Sequence, residues 1–340
     1  MGAFTADGTE NEMRWDGVTR GVMEAWYITL NHRASGLGLW FRYTLCAPEA
    51  AAPYCELWGL CFDPDGKRTF AAKRRFTVDH LAADGRDGGA LVRIGDAWLS
   101  ETHLEGALED GERSLAWSLD LEPAGRCFQH LPARLRGRAE RQVSTVCCPN
   151  LGVAFSGTVT LDGDELRLEG ERGQQGHRWG RRHSLSWAWA HCSNFEGQKD
   201  AVFEGVAARA KLGPLIAPTT TFLYLRLAGE DIAFNDDLRW ALRARSRYEM
   251  PTWAFTATND RYRIAGAGRA TLDRLQQVVY YDPDSSARYC ANSEIADLAI
   301  ELYERTGHGW RHRASLTALK SAHLEFGRKE PFAELPRALG

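Results

Sequence analysis

Short aromatic-rich segments of alternating polarity recur along the chain, with turn residues between them. They are GLGLWFRYTLCAP (36–48), YCELWGLCFDPDG (54–66), LAWSLDLEP (115–123), GVAFSGTVTLDGD (152–164), LSWAWAHCSNF (185–195), TTTFLYLRLAGED (219–231) and LTALKSAHLEFG (316–327). A period of two with turn signals such as PDG, DGD and AGED is typical of antiparallel hairpins. The 12 Trp, 14 Phe and 10 Tyr suit sheet faces and ligand-lined cavities. The sequence therefore predicts an all-β fold with few short helices.

The segment LWFRYTL has two substantial faces. Leu39, Phe41, Tyr43 and Leu45 lie on one face, and Trp40, Arg42 and Thr44 lie on the other. In a β-barrel this pattern indicates one filled or ligand-lined interior and one packed exterior. A similar segment, FLYLRL, follows in the second half of the chain, and 340 residues are more than one ordinary core needs. We therefore predict two related β modules, 1–176 and 177–340.

Other stretches are less decisive. The segment SEIADLAIELYER (293–305) fits a helix through its spacing of three and four, and a strand through its alternation, so periodicity leaves both open. The segments LAADGRDGG (81–89) and LPARLRGRAERQ (131–142) read as loops.

Charge and targeting signals exclude several functions. With 42 Lys and Arg against 45 Asp and Glu, the net charge is −3, without the basic excess that nucleic-acid binding needs. The sequence has neither a signal-peptide pattern nor a span of about 18 apolar residues, which predicts a cytoplasmic location. A peripheral membrane contact for ligand uptake stays open. The eight cysteines form no CxxC motif and are expected to be buried, reduced thiols, and nothing indicates an oligomeric state.

The densest functional segment is GQQGHRWGRRHSLSWAWAHCSNFEG (173–197). If 183–192 is one strand, its odd face carries His183, Leu185, Trp187, Trp189 and His191, whereas its even face carries small residues and Cys192. An aromatic wall that ends in imidazoles is either a packed core or the wall of a pocket for a hydrophobic ligand.

Metal and nucleotide chemistry are disfavoured by spacing. His177, His183, His191 and Cys192 are the right residue types for zinc, but adjacent residues point to opposite faces of a strand and the intervals are unfamiliar. No GxGxxG loop in a βαβ context, GxSxG elbow or GxxxxGK[ST] motif occurs. We therefore expect no metal and no nicotinamide, flavin or ATP cofactor.

Acid–base chemistry remains. A carboxyl group among Trp rings is desolvated, so its pKa should rise and it can act as a general acid near neutral pH. Glu24, Glu56 and Glu204 each lie beside aromatic, strand-forming residues. Each could also be a structural Glu bonded to Arg or to the backbone.

At GHRWG (176–180) followed by SWAWAHCSNFEG (186–197), the sequence resembles the carotenoid 1,2-hydratase, tocopherol cyclase and AttH-like superfamily. Further similar segments are EAWYITLNHRASGLGLWFRYTL (24–45), ELWGLCFD (56–63), VFEGVAARAKLG (202–213), LYLRLAG (223–229), YCANSEIADL (289–298) and AHLEFG (322–327). The resemblance implies two lipocalin-like β-barrel modules with a hydrophobic cavity, and cofactor-free hydration or cyclisation of isoprenoid or polyene ligands. His177 and Trp179 match the motif's imidazole and indole.

The chain departs from the hydratases after this element. They place an acidic residue close behind it, whereas here His191, Cys192 and Asn194 follow, and Glu196 and Glu204 are the nearest acids. The safer implication is the broader theme of shaping and protonating a hydrophobic unsaturated ligand.

We therefore interpret the protein as a cofactor-independent hydratase, cyclase or isomerase of a hydrophobic isoprenoid or polyene-type molecule. Glu204, or else Glu24 or Glu56, would donate the proton, with His177 positioning the acid or relaying the proton. The ligand contacts would come from Trp58, Trp179, Trp187, Trp189, His191 and Asn194. The alternatives are a non-catalytic lipocalin-like carrier and a protein-interaction module with an exposed apolar patch.

Overall fold

A computed structural model of the chain describes residues 3–5, 8–84, 89–133, 135–136 and 143–339. Strands make up most of it, as the sequence predicts, and they form two large sheets and one small hairpin. The strands of the first sheet are β1 (Phe4–Thr5), β2 (Val22–His32), β3 (Leu37–Ala47), β4 (Tyr54–Phe62), β5 (Phe70–Thr77), β6 (Leu81–Ala82), β7 (Val92–Ile94), β8 (Ala97–Leu99), β9 (His103–Asp110), β10 (Arg113–Leu121), β11 (Cys127–Gln129), β12 (Ser144–Leu161) and β13 (Asp164–Gly180).

The remaining elements belong to the second half of the chain. They are β14 (Ser186–Cys192), β15 (Val202–Arg209), β16 (Lys211–Leu212), β17 (Leu215–Ile216), β18 (Thr220–Leu227), β19 (Glu230–Ala233), α1 (Leu238–Arg243), β20 (Arg245–Glu249), β21 (Thr252–Thr258), β22 (Tyr262–Arg269), β23 (Gln276–Tyr281), β24 (Ala287–Thr306), β25 (Gly309–Arg328) and β26 (Arg337–Leu339). Strands β16 and β17 form the separate hairpin. Short 3₁₀ turns occur at Val78–His80 and Leu272–Arg274.

Both large sheets are antiparallel along their main paths. The first has the order β5-β4-β3-β2-β13-β12-β10-β9-β8-β7-β6, and it curls so that β4 and β5 approach β9. The second has the order β19-β18-β15-β14-β25-β24-β22-β21-β20, with β23 and β26 beside β24. This is the predicted lipocalin-like all-β architecture. The chain changes sheet between Gly180 and Ser186, so β13 runs through the predicted module boundary at 176/177.

The ambiguous segment 293–305 is a strand within β24. Its alternating residues Leu298, Ile300 and Leu302 are buried, whereas Ala299, which a helical stripe would bury, is exposed. Pairing with β22 and β25 on both sides satisfies the backbone and selects the strand. Of the predicted loops, Leu81–Ala82 is the short strand β6, and residues 85–88, 134 and 137–142 lie outside the described residues.

Each large sheet encloses its own hydrophobic core, and a third cluster lies between the sheets. On β3, Phe41 and Tyr43 pack in the first core, whereas Trp40 packs in the cluster between the sheets. The two faces predicted for LWFRYTL are thereby confirmed. All eight cysteines are free and buried, as predicted. Among the described residues, no helix is long and apolar enough to cross a bilayer.

Candidate active site

A cavity of about 400 Å³ lies where the two sheets face each other. The first sheet contributes Tyr27, Trp40, Arg42 and Arg178, and the second contributes Trp187, Trp189, Val206, Phe222, Tyr280 and Glu325. Alternation along the strands directs these side chains inward, because Trp187 and Trp189 share one face of β14 while Ala188 and Ala190 pack in the second core. The mouth is lined by Ala217, Pro218, Leu238 and Leu242. The cavity is therefore largely apolar, with a few charged groups at fixed places.

Two glycines make room for aromatic rings of the wall. Gly327 lies opposite Trp187 on the neighbouring strand, and an ideal Cβ at Gly327 would fall 2.1 Å from the indole. Gly176 lies opposite Tyr27 in the same way, and a Cβ there would fall 2.1 Å from the phenol ring. These rings lie flat on their neighbouring strands because no side chain separates them from the backbone.

Glu325 is the acidic residue of the cavity wall. It lies on β25 directly opposite Trp189, and its Oε2 accepts a long hydrogen bond of 3.4 Å from Trp187 Nε1. Burial raises the pKa of this carboxyl above its ordinary value, although Arg42 and Trp187 act in the opposite direction. Glu325 thus has the raised pKa that sequence reasoning sought in Glu24, Glu56 or Glu204.

Glu204 lies just behind the wall and accepts three hydrogen bonds. Trp189 Nε1 lies 2.6 Å and His130 Nε2 2.8 Å from its Oε1, and His191 Nδ1 lies 3.2 Å from its Oε2. Burial favours the protonated form, but the bonds from His130 and His191 outweigh it and lower the pKa of Glu204. The predicted rise in pKa is therefore wrong for Glu204, because its carboxylate has donors that the sequence pattern did not reveal.

The other two predicted acids lie outside the cavity lining. Glu24 accepts hydrogen bonds from the backbone N–H groups of Arg14 and Trp15, and it lies 2.9 Å from His177 Nε2. The opposite nitrogen of His177 lies 2.6 Å from the carbonyl oxygen of Glu10. His177 therefore contacts Glu24 and not Glu204, and this pair fastens the N-terminal segment to β2 and β13.

Glu56 is held by two cations. Arg75 Nη2 lies 2.8 Å and Lys73 Nζ 3.7 Å from its Oε1. These ion pairs correspond to the structural alternative that the sequence left open for Glu56.

Four predicted ligand contacts, Trp58, Trp179, His191 and Asn194, lie outside the cavity lining. Trp58 packs edge-on against Trp40 and Tyr280, with ring centroids 6.3 and 5.9 Å apart. Trp179 packs beside His177, and His191 is buried against Glu204. The Asn194 side chain donates to Asn31 and to the Arg172 carbonyl, so its amide is used in the sheet junction. Of the six predicted contacts, Trp187 and Trp189 line the cavity.

The zinc candidates dismissed on spacing do not come together. His177 faces Glu24, His183 faces Asp282, His191 faces Glu204, and Cys192 Sγ lies 3.9 Å from the Ser321 carbonyl oxygen. A different buried group does converge, because donor atoms of His130, Cys148 and Glu204 lie within 4.8 Å of one another. Within that cluster, His130 Nε2 lies 2.8 Å from Glu204 Oε1.

Basic residues occupy one end of the cavity. Arg178 donates from Nη1 to His183 Nε2 at 2.5 Å, and His183 Nδ1 lies 2.6 Å from Asp282. Burial and the charge of Arg178 lower the pKa of His183 to about 3, so this imidazole is neutral. The Arg42 guanidinium lies over the Tyr280 ring, 4.4 Å from its centroid.

Sequence reasoning did not identify Glu325 or Tyr280 as cavity residues. It also did not predict that Arg42 and Arg178 lie close enough to repel each other. One signal was available for Glu325, because it stands between Leu324 and Phe326 in AHLEFG and so faces away from the core they fill. Glu325 and Arg42 are far apart in the chain, so no local sequence pattern predicts that they lie near each other.

A family model described as "Tocopherol cyclase-like" matches residues 150–328, more than half of the chain. The chain belongs to the tocopherol cyclase-like family. The uncharacterized proteins MT0513 and Rv0493c, from two strains of Mycobacterium tuberculosis, are each 28% identical to it over 96% of this chain and 92% of their own length.

Three solved structures share the fold of this chain. A putative AttH from Nitrosomonas europaea matches with a TM-score of 0.52 at 11% identity, covering 94% of this chain and 98% of its own. CghA in complex with Sch210972 matches with a TM-score of 0.53 at 10% identity, covering 96% and 98%. Kievitone hydratase from Nectria haematococca matches with a TM-score of 0.50 at 8% identity, covering 95% and 92%.

Proposed function

We propose that the protein is a hydratase- or cyclase-type enzyme that protonates a hydrophobic unsaturated small molecule in the cavity between its sheets. The observation that carries the proposal is Glu325, a carboxyl of raised pKa on a wall formed by Trp187 and Trp189. A general acid needs a raised pKa and a position that reaches the ligand, and Glu325 combines a raised pKa with a place in the cavity lining.

The family and its structural neighbours support this class of reaction. The matching family model is described as tocopherol cyclase-like, and one solved neighbour is a kievitone hydratase. CghA was solved with a small molecule, Sch210972. An isoprenoid or polyene-type substrate remains our proposal for this chain, because a double bond that accepts a proton is what Glu325 needs.

The proposed step transfers one proton. The π electrons of the alkene take the proton from the Glu325 carboxyl, which leaves a carboxylate and a carbocation. The indole faces of Trp187 and Trp189 and the ring of Tyr280 attract that cation. Arg42 stabilises the Glu325 carboxylate, as its effect on the pKa of this residue indicates.

Collapse of the cation completes either reaction. In hydration, a water oxygen bonds to the cationic carbon and the excess proton returns to Glu325. In cyclisation, a nucleophilic group of the same ligand closes the ring and releases its proton to the same carboxylate. The balance requires no oxidant or reductant, and we propose that no cofactor takes part.

Glu204 is assigned a positioning role in this proposal. Its lowered pKa makes it a poor acid near neutral pH, whereas its bonds to His130 and Trp189 orient two residues of the wall. His177 and Glu24 hold the N-terminal segment, so their removal should act through stability.

The test starts from small molecules extracted from the natively purified protein, which are identified by mass spectrometry and incubated with fresh protein. A gain of the mass of water indicates hydration, and a new isomer of equal mass indicates cyclisation or isomerisation. Glu325→Gln should lower turnover by roughly 10² to 10⁴ with little loss of ligand affinity. Glu56→Gln, which lies outside the cavity, is the matched control.

Unchanged turnover in Glu325→Gln, or a loss confined to Glu204→Gln, would overturn the assignment of Glu325. A bound molecule that the wild-type protein never alters would identify a carrier and overturn the enzymatic proposal.

A further inference from the structure

Two guanidinium groups share one end of the cavity, and neither has a carboxylate partner. Arg42 is 7% exposed, and its Nε donates to Thr44 Oγ1 at 3.0 Å. Arg178 donates to Ser144 Oγ, to the Arg182 carbonyl and to neutral His183. All of these acceptors are uncharged. Among the residues that the structure describes, neither guanidinium forms an ion pair, although both line the cavity.

The acids nearest to this end do not neutralise it. The Asp282 carboxylate is engaged by His183 and lies 3.2 Å from Arg288 Nη2, so its charge is balanced there. Burial raises the pKa of Glu325, which disfavours the charged carboxylate that would balance the guanidinium groups. Burial, followed by repulsion from Arg42, lowers the pKa of Arg178 to about 10. Two mutually repelling positive charges are thus retained in a mostly apolar cavity.

Aromatic rings hold these cations in place without supplying a counter-charge. The Arg42 guanidinium lies between the rings of Trp40 and Tyr280, at 5.9 and 4.4 Å from their centroids. Tyr280 stacks on His183 at 5.1 Å with nearly parallel planes, and His183 accepts from Arg178. Buried charges are costly unless they are paired, so an anionic group from outside the chain is the missing partner.

We infer that the substrate carries an acidic oxygen group, such as a carboxylate, enolate or phenolate, that binds to Arg42 and Arg178 while its apolar body lies along Trp187 and Trp189. Guanidinium groups bind planar oxyanions through paired N–H donors, which suits this chemistry better than a neutral hydroxyl. The inference rests on the proposed function and narrows its substrate class to hydrophobic acids. A bound anion would also keep Glu325 protonated, because it offsets the charge of Arg42.

A matched pair of fluorescent probes tests this site without knowledge of the substrate. Anilinonaphthalene sulfonate carries an anionic group, and phenylnaphthylamine has the same aromatic skeleton without it. Arg42→Met and Arg178→Met should each lower the affinity for the anionic probe by roughly tenfold or more. The affinity for the neutral probe should change by no more than about twofold. Arg247→Gln removes an exposed arginine and is the control.

An equal loss of affinity for both probes, or no loss of affinity for the anionic probe, would overturn the inference. If the arginine variants do not fold, the wild-type protein gives the answer through displacement of phenylnaphthylamine. Laurate should then compete roughly tenfold more strongly than lauryl alcohol. Equal competition would mean that the cavity accepts neutral ligands, which overturns the acidic-substrate inference and leaves the proposed function standing. If the wild-type protein binds none of the probes or competitors, both the acidic-substrate inference and the proposed function are overturned.

Discussion

Two carboxyl groups near the cavity, Glu325 and Glu204, have pKa values displaced in opposite directions. Glu204 is buried and Glu325 is half-buried on the cavity wall, and burial acts to raise the pKa of both, so burial does not explain the lower pKa of Glu204. Glu204 accepts from Trp189, His130 and His191 within 3.2 Å. Glu325 accepts a long hydrogen bond of 3.4 Å from Trp187, and the lowering effects of Arg42, Trp187 and Cys290 on its pKa do not outweigh burial. The well-placed donors lower the pKa of Glu204, and the opposite shifts support the roles proposed for Glu325 as the acid and Glu204 as a positioning group.

A third buried acid, Glu294, gives a prediction for stability. It contacts Thr29 Oγ1, lies 3.4 Å from His323 Nδ1 and is near Glu325, and burial raises its pKa from 4.5 to about 8. The folded protein therefore retains a proton that the unfolded chain releases, and this contribution to stability is lost as the pH rises from about 4.5 to about 8.

Glu294→Gln removes this titration and should keep more of its stability between pH 5 and 9 than the wild type does. The difference should be on the order of 4 kcal/mol at pH 9, and it is measured by chemical denaturation at both pH values. Glu301→Gln, a partly exposed position on the same strand, should follow the wild type. An equal loss in Glu294→Gln and wild type would contradict the prediction.

At the scale of the elements, cross-strand glycines shape the cavity wall. The Trp187 indole lies on Gly327, whose φ is not in the left-handed region, so the space above it is the constraint. The pairing of β14 with β25 places Trp187, Trp189 and Glu325 beside one another. A displaced Trp187 indole would therefore also shift the positions of Trp189 and Glu325.

Gly327→Ala should lower the free energy of unfolding by about 1–3 kcal/mol, because the new methyl group overpacks against the indole. It should also weaken phenylnaphthylamine binding, since Trp187 must move. Denaturant titration and probe fluorescence measure the two effects. Gly307→Ala is the control, because nothing lies within 4 Å of its ideal Cβ. Unaltered stability and binding in Gly327→Ala would refute this account of the wall.

At the scale of the whole molecule, the cavity opens beside exposed apolar residues. Leu215, Ile216 and Leu242 are 71%, 53% and 51% exposed, and Leu242 also lines the cavity. Lys211 is exposed on β16, the strand paired with β17, and Arg243 is exposed on α1 beside Leu242. Exposed leucines beside basic residues favour contact with an anionic lipid surface, from which a hydrophobic ligand could enter.

We therefore expect the protein to bind vesicles of phosphatidylcholine and phosphatidylglycerol more strongly than vesicles of phosphatidylcholine alone. Ile216→Glu and Leu242→Glu together should lower the bound fraction about fivefold in a sedimentation assay. Leu319→Glu replaces a similarly exposed leucine, at 59%, that does not line the cavity, and should have no effect. Binding that is equal for all variants would count against the membrane contact.

The pairing of the strands explains which of them a local sequence pattern can predict. Each of the seven alternating segments contains a strand, and the opposite faces of LWFRYTL were correctly assigned, because a strand's two faces follow from a period of two. Segment 293–305 could not be assigned in this way, because only pairing with β22 and β25 distinguishes its two periodicities.

The residues of the candidate site fall into the same two groups, those that a local pattern can place and those that only the fold brings together. Trp187 and Trp189 could be placed on one wall from the sequence, since they lie two residues apart on a strand. Whether an acid keeps its proton depended on contacts between distant strands, as with His130 and Glu204, or Arg42 and Glu325. The sequence by itself indicated strands in the seven alternating segments, the two faces of LWFRYTL and the resemblance to the family, because these rest on local periodicity and short motifs. Only the tertiary structure decided which carboxyl near the cavity has a raised pKa and where the two arginines meet, because hydrogen bonding and burial depend on residues brought together by the fold.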